Sequence, residues 1–552
     1  MTTSVAARRA ARALPPWPAD RPLRSWQERA LATVARFEGR SFLASAAPAA
    51  GKTTFGLKLA HEMLSCGQVA RVVVVAPTTH ICRQWALDAA RYGIDIEPNR
   101  PNSARREPRD RHGVAITYQT VAAGPGTHGA ACAARPTLLI ADEPHHMGEQ
   151  AAWGTRAQAA FEGATFRLLL SGTPFRSDST AIPWVTYDED GVSRADFTYG
   201  YTDALLDGVC RPITFQLYDG DMEWVSGGRK RHADFSMVLP RDEAARRLRT
   251  ALDPDGDWLG EVLRDADARL SAVRAARHPE AGGLVVAADK EHAARIAMRL
   301  ARISGEAPEI VTSDEPDSSA RISAFSGSSR RWLVSVLMVS EGVDIPRLRV
   351  GVYATAARTE LFFRQVIGRF VRRTPVPRAQ MSYLFLAADP RLRELAARVE
   401  EERNHALELR PELEEEHEAL ERVVGEGAMF EALSSSARAD DVITSSMRPG
   451  DELQLFYDAA PVKAVPAPAP PPPAPPCISV RPSGPEPAYA RRERLRAERN
   501  RLVSDISRRT GEPHRQIHGR MNRATGAASV ANATIAQLEK ANELLVRELR
   551  RG

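Results

Sequence analysis

A short apolar run, Ser41-Phe42-Leu43-Ala44-Ser45, leads into a loop from Ala46 to Gly51, and Gly51-Lys52-Thr53 then opens a helical stretch that reaches Met63. Further along, Leu138-Leu139-Ile140-Ala141 delivers Asp142-Glu143-Pro144-His145. No other feature constrains the fold as tightly. A strand feeding a tight loop that is closed by a helix N-terminus places backbone N–H groups around phosphate oxygens, and it needs an α/β layer to do so. A wholly apolar strand ending in carboxylates reads as a buried parallel strand with its functional residues at the carboxyl end. Lys52 falls where outer phosphates would sit, and Thr53, followed by Thr54, where a hydroxyl for Mg²⁺ is needed. Asp142 can hold the Mg²⁺ shell, while Glu143 can orient and deprotonate an attacking water. These residues predict a site that splits a nucleoside triphosphate, with ATP and Mg²⁺ bound.

Two details qualify the loop. The pattern GxxxxGK[ST] asks for glycine at position 46, where Ala46 stands. His145 and His146 invite a zinc reading, but no cysteine or further histidine lies at ligand spacing nearby, so Mg²⁺ is the expected metal.

With these residues in hand the chain resembles a superfamily 2 helicase or translocase of the DExH type, of bacterial or phage kind and similar to restriction-enzyme motor subunits. Leu23-Arg24-Ser25-Trp26-Gln27 resembles the upstream glutamine motif that reads adenine. Val72 to Thr78 (VVVVAPT), continuing to Gln84-Trp85, resembles motif Ia, and Ser171-Gly172-Thr173-Pro174-Phe175-Arg176 resembles motif III. Gly283 to Ala287, before Asp289-Lys290, is similar to motif IV, and Ser340-Glu341-Gly342-Val343-Asp344-Ile345-Pro346 to motif V. Gln365-Val366-Ile367-Gly368-Arg369-Phe370-Val371-Arg372 fits the arginine-finger motif QxxGRxxR. The likeness spans roughly residues 20 to 390 in the family's order. The family's own loop pattern, AxxGxGKT, accommodates Ala46, but Ala49 stands where it has glycine, and alanine tolerates left-handed backbone less well.

The resemblance implies an α/β fold with two RecA-like parallel-sheet motor domains in tandem, and an ATP-dependent nucleic-acid helicase. It places Gln27 near adenine and Gly51, Lys52, Thr53 and Thr54 around the phosphates. Thr53 and Asp142 would hold Mg²⁺, with Glu143 as the base. It makes His145, Ser171 and Thr173 coupling residues and puts Gly342 and Asp344 of motif V near the nucleotide. Strand contacts would come from Pro77, Thr78, Thr117 and Gln119. Gln365, Arg369 and Arg372 belong to the finger motif. Arginines three apart share a helix face, and a finger that stabilises transition-state charge is worth several orders of magnitude in rate. Strand separation is the first reading. A double-strand translocase without unwinding and an ATP-gated switch that recruits partners stay open, with DNA favoured over RNA as the track.

At 552 residues the chain predicts three or more domains. No apolar run approaches membrane-spanning length. The five cysteines (Cys66, Cys82, Cys132, Cys210, Cys477) are scattered and form no CxxC, which argues for a reducing, cytoplasmic setting.

The organisation expected is a disordered leader over 1–19, a first motor domain over 20–185, and a second over 205–390 with a helical elaboration at 240–278. A charged helical extension follows over 391–460, including Glu414-Glu415-Glu416, able to pack on the motor or meet a protein partner. A Pro-rich linker occupies 461–488, with nine prolines between Pro461 and Pro476. The last segment, 489–552, is a small basic helical module. Its fifteen Lys/Arg against seven Asp/Glu give a net charge of +8, in a chain whose total is +5. Helices are expected at Arg491 to Arg509, Pro513 to Arg523 and Ala533 to Leu549, closing a core of Leu495, Leu502, Ile506, Ile517, Ile535, Leu538 and Leu545. Such a module suits nucleic-acid phosphates, and an acidic protein partner is the rival. His514 and His518 share a helix face but lack a third metal ligand.

Overall fold

A computed structural model describes residues 14–104, 111–147, 151–172, 182–189, 193–226, 229–276, 278–312, 318–336, 345–374, 380–408, 439–442 and 486–551. The chain divides into two compact units. Met1–Ser45, Gly51–Thr198 and Pro468–Gly552 form the first, and Ala46–Ala50 with Tyr199–Ala467 the second.

In the first unit, strands β1 (Ser41–Ala46), β2 (Arg71–Ala76), β3 (Ile96–Pro98), β4 (Gly113–Thr117), β5 (Thr137–Asp142) and β6 (Phe166–Ser171) enter a seven-stranded sheet. After the short strands β7 (Thr186–Tyr187) and β8 (Ser193–Arg194), β9 (Phe197–Tyr199) completes it, in the order β3-β4-β2-β5-β6-β1-β9. The pairings from β3 through to β1 are all parallel. Parallel strands are buried on both faces, so they read as unbroken apolar runs rather than alternations: every residue of β2 (RVVVVA) is buried. Parallel neighbours also need a crossover, and helix α2 (Lys52–Ser65) carries β1 to β2. Helix α1 (Ser25–Ala35) precedes this core, and α3 (Thr79–Ala90) follows β2.

The leader differs from expectation. Residues 14–19, assigned to a disordered segment, pack on the core: Trp17 stacks on Tyr92 with centroids 4.0 Å apart, and His61 Nε2 lies 2.8 Å from the Pro15 carbonyl. One tryptophan supplies the apolar area that the Ala/Arg composition hid. Residues 1–13 lie outside the described residues.

Helices Ala488–Thr510, His514–Thr525 and Ile535–Arg551 form the basic module. It holds two small cores, one of Leu495, Ala533 and Leu538, the other of Val503, Ile506, Ile517, Met521, Ala541 and Leu545. The module groups with the first unit because it docks there. The Arg492 guanidinium donates to both oxygens of Asp95, at 2.6 and 2.8 Å, and Arg496 donates to Glu97 at 2.9 Å. Glu97 also pairs with Arg100 at 2.8 Å and with Arg111, and Arg100 reaches Asn532 of the module. Burial, then the neighbouring guanidiniums of Arg492 and Arg496, lower the pKa of Arg111. The contact covers β3, the edge strand of the sheet, whose unpaired side would otherwise be open to another chain.

The second unit is built on strands β10 (Ile213–Tyr218), β13 (Gly282–Ala287), β14 (Glu309–Val311), β15 (Trp332–Val336), β16 (Leu348–Ala354) and β17 (Ser382–Ala387), with β18 (Ala439–Val442) at one edge. A two-stranded hairpin, β11 (Met222–Ser226) and β12 (Arg229–Ala233), intervenes. The sheet order is β14-β15-β13-β16-β17-β10-β18, and all its pairings are parallel except β10 with β18. Helices Arg241–Ala251 and Asp257–Ala275 fall in the segment expected to be a helical elaboration, and the hairpin before them was not anticipated. Helix Pro390–Glu408 opens the charged extension. Within the stretch expected as a charged helical extension, 391–460, lies β18, which pairs antiparallel with the edge of β10. Its Glu414-Glu415-Glu416 run and the Pro-rich stretch from Pro461 to Pro476 lie outside the described residues. Both units are α/β and RecA-like. No helix among the described residues is long and apolar enough to cross a membrane.

Candidate active site

The loop after β1 turns into α2 at Gly51, whose φ of 93° is left-handed. The left-handed backbone calls for glycine, and a Cβ there would stand 2.9 Å from Gln27 Nε2 and displace that side chain. The Gln27 carboxamide donates to the Gly51 carbonyl (2.9 Å) and accepts from the Arg24 backbone (2.9 Å), bracing the turn from α1. Sequence reasoning put Gln27 near adenine; the structure puts its side chain against the loop. Ala49 adopts φ 65°, the left-handed backbone for which the family uses glycine. Alanine bears this at a cost of about 1–2 kcal/mol, and a β-branched residue bears more. Ala49→Val is expected to lower stability by a further ~1 kcal/mol, read as a drop in the thermal unfolding midpoint, whereas Ala49→Gly leaves the midpoint close to wild type.

Lys52, the first residue of α2, places Nζ 2.7 Å from Glu143 Oε1. Thr53 and Thr54 follow in the same first helical turn, where N–H groups and the helix dipole favour anions. Glu143 is itself left-handed, with φ 52°. A glutamate held there stores about 1–3 kcal/mol of strain unless its surroundings over-determine it. Here they do. Its N–H donates to the Leu170 carbonyl at 2.8 Å, Oε1 meets Lys52, and Oε2 accepts from the Gly172 N–H at 3.2 Å. Gly172 was named only as part of a motif. A Cβ at this position would be 3.0 Å from Lys52 Nζ and 3.4 Å from Glu143 Oε1, so a larger residue would press on both ends of the ion pair. Ser171 and His145 are buried beside this carboxylate, with His145 Nδ1 3.7 Å from Glu143 Oε2. Thr173, the third coupling candidate, lies outside the described residues.

Asp142 ends β5 one position earlier and is organised by two aromatic side chains. Trp85 Nε1 donates to its Oδ2 at 2.8 Å, and the Tyr118 hydroxyl donates to its backbone carbonyl at 2.9 Å. Trp85 comes from α3 and Tyr118 from the helix after β4, so the helices that follow β2 and β4 both meet the end of β5 at Asp142. Burial, then the Asp142 charge, push the Cys82 thiol up to about 12, which keeps it a neutral packing residue. The Asp142 carboxylate and the Thr53 hydroxyl each offer oxygen, the hard-ligand chemistry that suits Mg²⁺. Among the described residues, no three His, Cys, Asp or Glu side chains converge as a metal cluster would need. Mg²⁺ bound through one or two protein ligands and phosphate does not need one.

The residues expected to touch a strand sit at the carboxyl ends of β2 and β4. Thr78 Oγ1 accepts from the Ile81 N–H at 3.3 Å and caps α3, and Thr117 Oγ1 accepts from the Thr120 N–H at 3.2 Å and caps the next helix. Pro77 is half-buried and Gln119 exposed. Their hydroxyls therefore have a structural duty. Thr78→Ala should cost about 1 kcal/mol through loss of the cap, visible as a lowered thermal midpoint.

In the second unit, Gln365 and Arg369 lie four apart on helix Glu360–Phe370 and share a face. Arg372 does not, which corrects the helix-face argument. The helix is capped at Val371, and Arg372 forms an antiparallel bridge with Cys210. Sequence reasoning also missed Arg211, a buried guanidinium that donates to the carbonyls of Phe370 (2.6 Å), Pro346 (3.0 Å) and Leu348 and to Gln380 Oε1 (3.2 Å). It ties the end of helix Glu360–Phe370 to the segment from Pro346 to Leu348. Burial pushes its pKa well down. Gly342 and Asp344 lie outside the described residues.

Residues 20–176 match the family model described as the res subunit of type III restriction enzymes. The chain is similar to the uncharacterized protein MT2985 of Mycobacterium tuberculosis (strain CDC 1551 / Oshkosh), with 41% identity over 554 residues covering 94% of this chain and 91% of the relative. It is similar also to ML1624 of Mycobacterium leprae, with 40% identity covering 96% and 94% of the two chains. Among solved structures, a fragment assigned as an HsdR subunit of a type I restriction enzyme from Vibrio vulnificus is similar at 18% identity and a TM-score of 0.48, over 69% of this chain and 66% of that one. Saccharomyces cerevisiae Dbp5 bound to RNA and ADP BeF3 is similar at 13% identity and a TM-score of 0.44, over 68% and 87%.

Proposed function

The chain belongs to one family with the mycobacterial proteins MT2985 and ML1624 and has the build of a superfamily 2 helicase-like motor, and on that premise we propose that it hydrolyses ATP to move along nucleic acid and separate its strands. The observation that carries this reading is the Lys52–Glu143 pair, 2.7 Å apart at the head of α2 with Asp142 alongside. Phosphate oxygens compete with Glu143 for the Lys52 ammonium. A carboxylate released in this way, held on strained backbone by Gly172, is poised to take a proton from water. Asp142 and Thr53 would hold Mg²⁺, which would neutralise charge on the outer phosphates. Gln27 keeps Gly51 in its turn and so fixes the loop that receives phosphate. Arg369 and Arg372, with Gln365, are assigned to the finger motif by resemblance, His145, Ser171 and Thr173 to coupling, and Gly342 and Asp344 to the surroundings of the nucleotide.

The strand-contact assignment rests on Pro77, Thr78, Thr117 and Gln119 lying at the carboxyl ends of β2 and β4, the edge where open α/β sheets take their ligands. Similarity of the first unit to a restriction-enzyme subunit favours DNA over RNA as the track. That similarity also supports the second reading, translocation on duplex without unwinding.

The test is steady-state ATP hydrolysis by the purified protein with single-stranded DNA, duplex DNA and RNA in parallel, followed by a forked-duplex unwinding assay. Strong stimulation by one polymer together with strand displacement is the expected result. Stimulation by duplex alone, without displacement, selects the translocase. Turnover that ignores all three polymers removes the motor reading and leaves the ATP-gated switch.

A further inference from the structure

The docked module has a direction. Arg492 and Arg496 are four residues apart on helix Ala488–Thr510, an advance of about 6 Å. Their partners are Glu97 of β3 and Asp95, the residue just before that strand, two apart and an advance of roughly 6.6 Å in extended chain. Both pairs lie on one face of their element. The helix therefore runs beside β3 in the strand's own sense, with matched rise. Since β2, β4 and β3 are parallel, their carboxyl ends share one edge of the sheet, the edge that bears Pro77, Thr78 and Thr117. Arg100, just past β3, meets Asn532 there. Beyond Arg496 the helix continues to Thr510, about 20 Å further, so its second half overhangs that edge.

The two cores of the module divide the same way. Leu495, Ala533 and Leu538 lie at the docked end, while Val503, Ile506, Ile517, Met521 and Leu545 fasten helix His514–Thr525 and the end of the last helix to the overhanging half. Charge is divided too. At the docked end Arg491 pairs with Glu539, Arg492 with Asp95, Arg494 with Glu486 and Arg496 with Glu97. In the overhanging half, residues 501–525 and 543–550 carry eight arginines against four carboxylates, and Arg508, Arg520 and Arg547 between them pair with all four. Arg501, Arg515 and Arg523 are exposed there and form no ion pair with any described residue.

We infer that this overhanging half is a fixed contact for the phosphate backbone, continuing the nucleic-acid path along the carboxyl edge of the first sheet. The inference rests on the motor reading above and deepens it: the tail is a rigid extension of the first unit rather than an appendage swinging on its Pro-rich tether. Guanidinium groups suit phosphate through bidentate hydrogen bonds, and such contacts position a strand without reading its sequence.

The test compares three proteins for binding to fluorescein-labelled oligodeoxythymidylate and to a labelled duplex across a salt series. These are wild type, the distal variant Arg501→Ala/Arg515→Ala/Arg523→Ala, and the undocked variant Arg492→Ala/Arg496→Ala. The distal variant, whose substitutions are all on the surface, is expected to bind at least about tenfold more weakly at low salt. Its plot of log affinity against log salt should be shallower by roughly two on the single strand. The undocked variant should lose comparable affinity although its distal arginines are intact. A distal variant with the wild-type salt slope overturns the inference and points to an acidic protein partner instead. An undocked variant that is folded and binds like wild type also overturns it, in favour of a tethered tail. Should the undocked variant fail to fold, the distal variant decides alone. Stimulation of wild-type ATP hydrolysis by the same oligomers tests the motor reading separately. A stimulated wild type with an unaltered distal variant removes this inference only, whereas a wild type that neither binds nor responds removes both.

Discussion

Glu143→Gln is expected to lower ATP turnover by about two to four orders of magnitude, the range supplied by a positioned general base, while ATP binding persists. The substitution keeps the shape of the side chain. A glutamine oxygen can still accept from the Gly172 N–H that Glu143 Oε2 now engages at 3.2 Å. What disappears is the negative charge and, with it, any basicity toward water. The lost charge also releases Lys52 from its 2.7 Å ion pair, so affinity for the anionic nucleotide should hold or rise. A structural contribution alone would move binding and turnover together. The measurement is therefore a pair: fluorescent-nucleotide titration and steady-state hydrolysis on the same preparation. Turnover that survives within a few fold would remove Glu143 as the base and return attention to His145, buried beside it.

The central strands of both sheets were legible because parallel strands are apolar on both faces: VVVV in β2 and LLIA in β5 have no other comfortable setting. The loop and its lysine were legible because glycine, lysine and threonine at a strand-to-helix junction answer a specific chemical need. Ala49 shows that a departure can be legible as well, since the residue flagged as a poor fit to left-handed backbone does adopt φ 65°. Other features depended on partners distant in sequence. Trp85 read as part of a motif, yet its bond to Asp142 spans 57 residues. Arg211 read as nothing, because an arginine that binds carbonyls has no signature beyond its own identity. Arg372 was misplaced by assuming that helical spacing continued past the helix end at Val371, beyond which Arg372 bridges to Cys210. The module's arginines were counted as one basic surface. Composition cannot distinguish an arginine paired with a carboxylate 397 residues away from one facing solvent.

That distinction sets the second large effect. Arg492→Ala is expected to destabilise the first unit by about 3 kcal/mol, the lower end of the cost of breaking a buried ion pair. The Arg492 side chain is 1% exposed and Asp95 15%, so truncation strands a carboxylate in a mostly dry setting, and the residual exposure keeps the cost from the top of the range. A surface pair of the same geometry would be worth under about 1 kcal/mol. Urea unfolding of wild type, Arg492→Ala, Asp95→Ala and the double variant closes a thermodynamic cycle. If the docking is as tight as the paired bonds imply, the double variant should be more stable than Arg492→Ala alone, because removing the second partner removes the stranded charge. Additive effects, with a small cost for Arg492→Ala, would mean the module rests on the sheet without being held by it. The direction of β3's edge would then no longer carry over to the module's basic end.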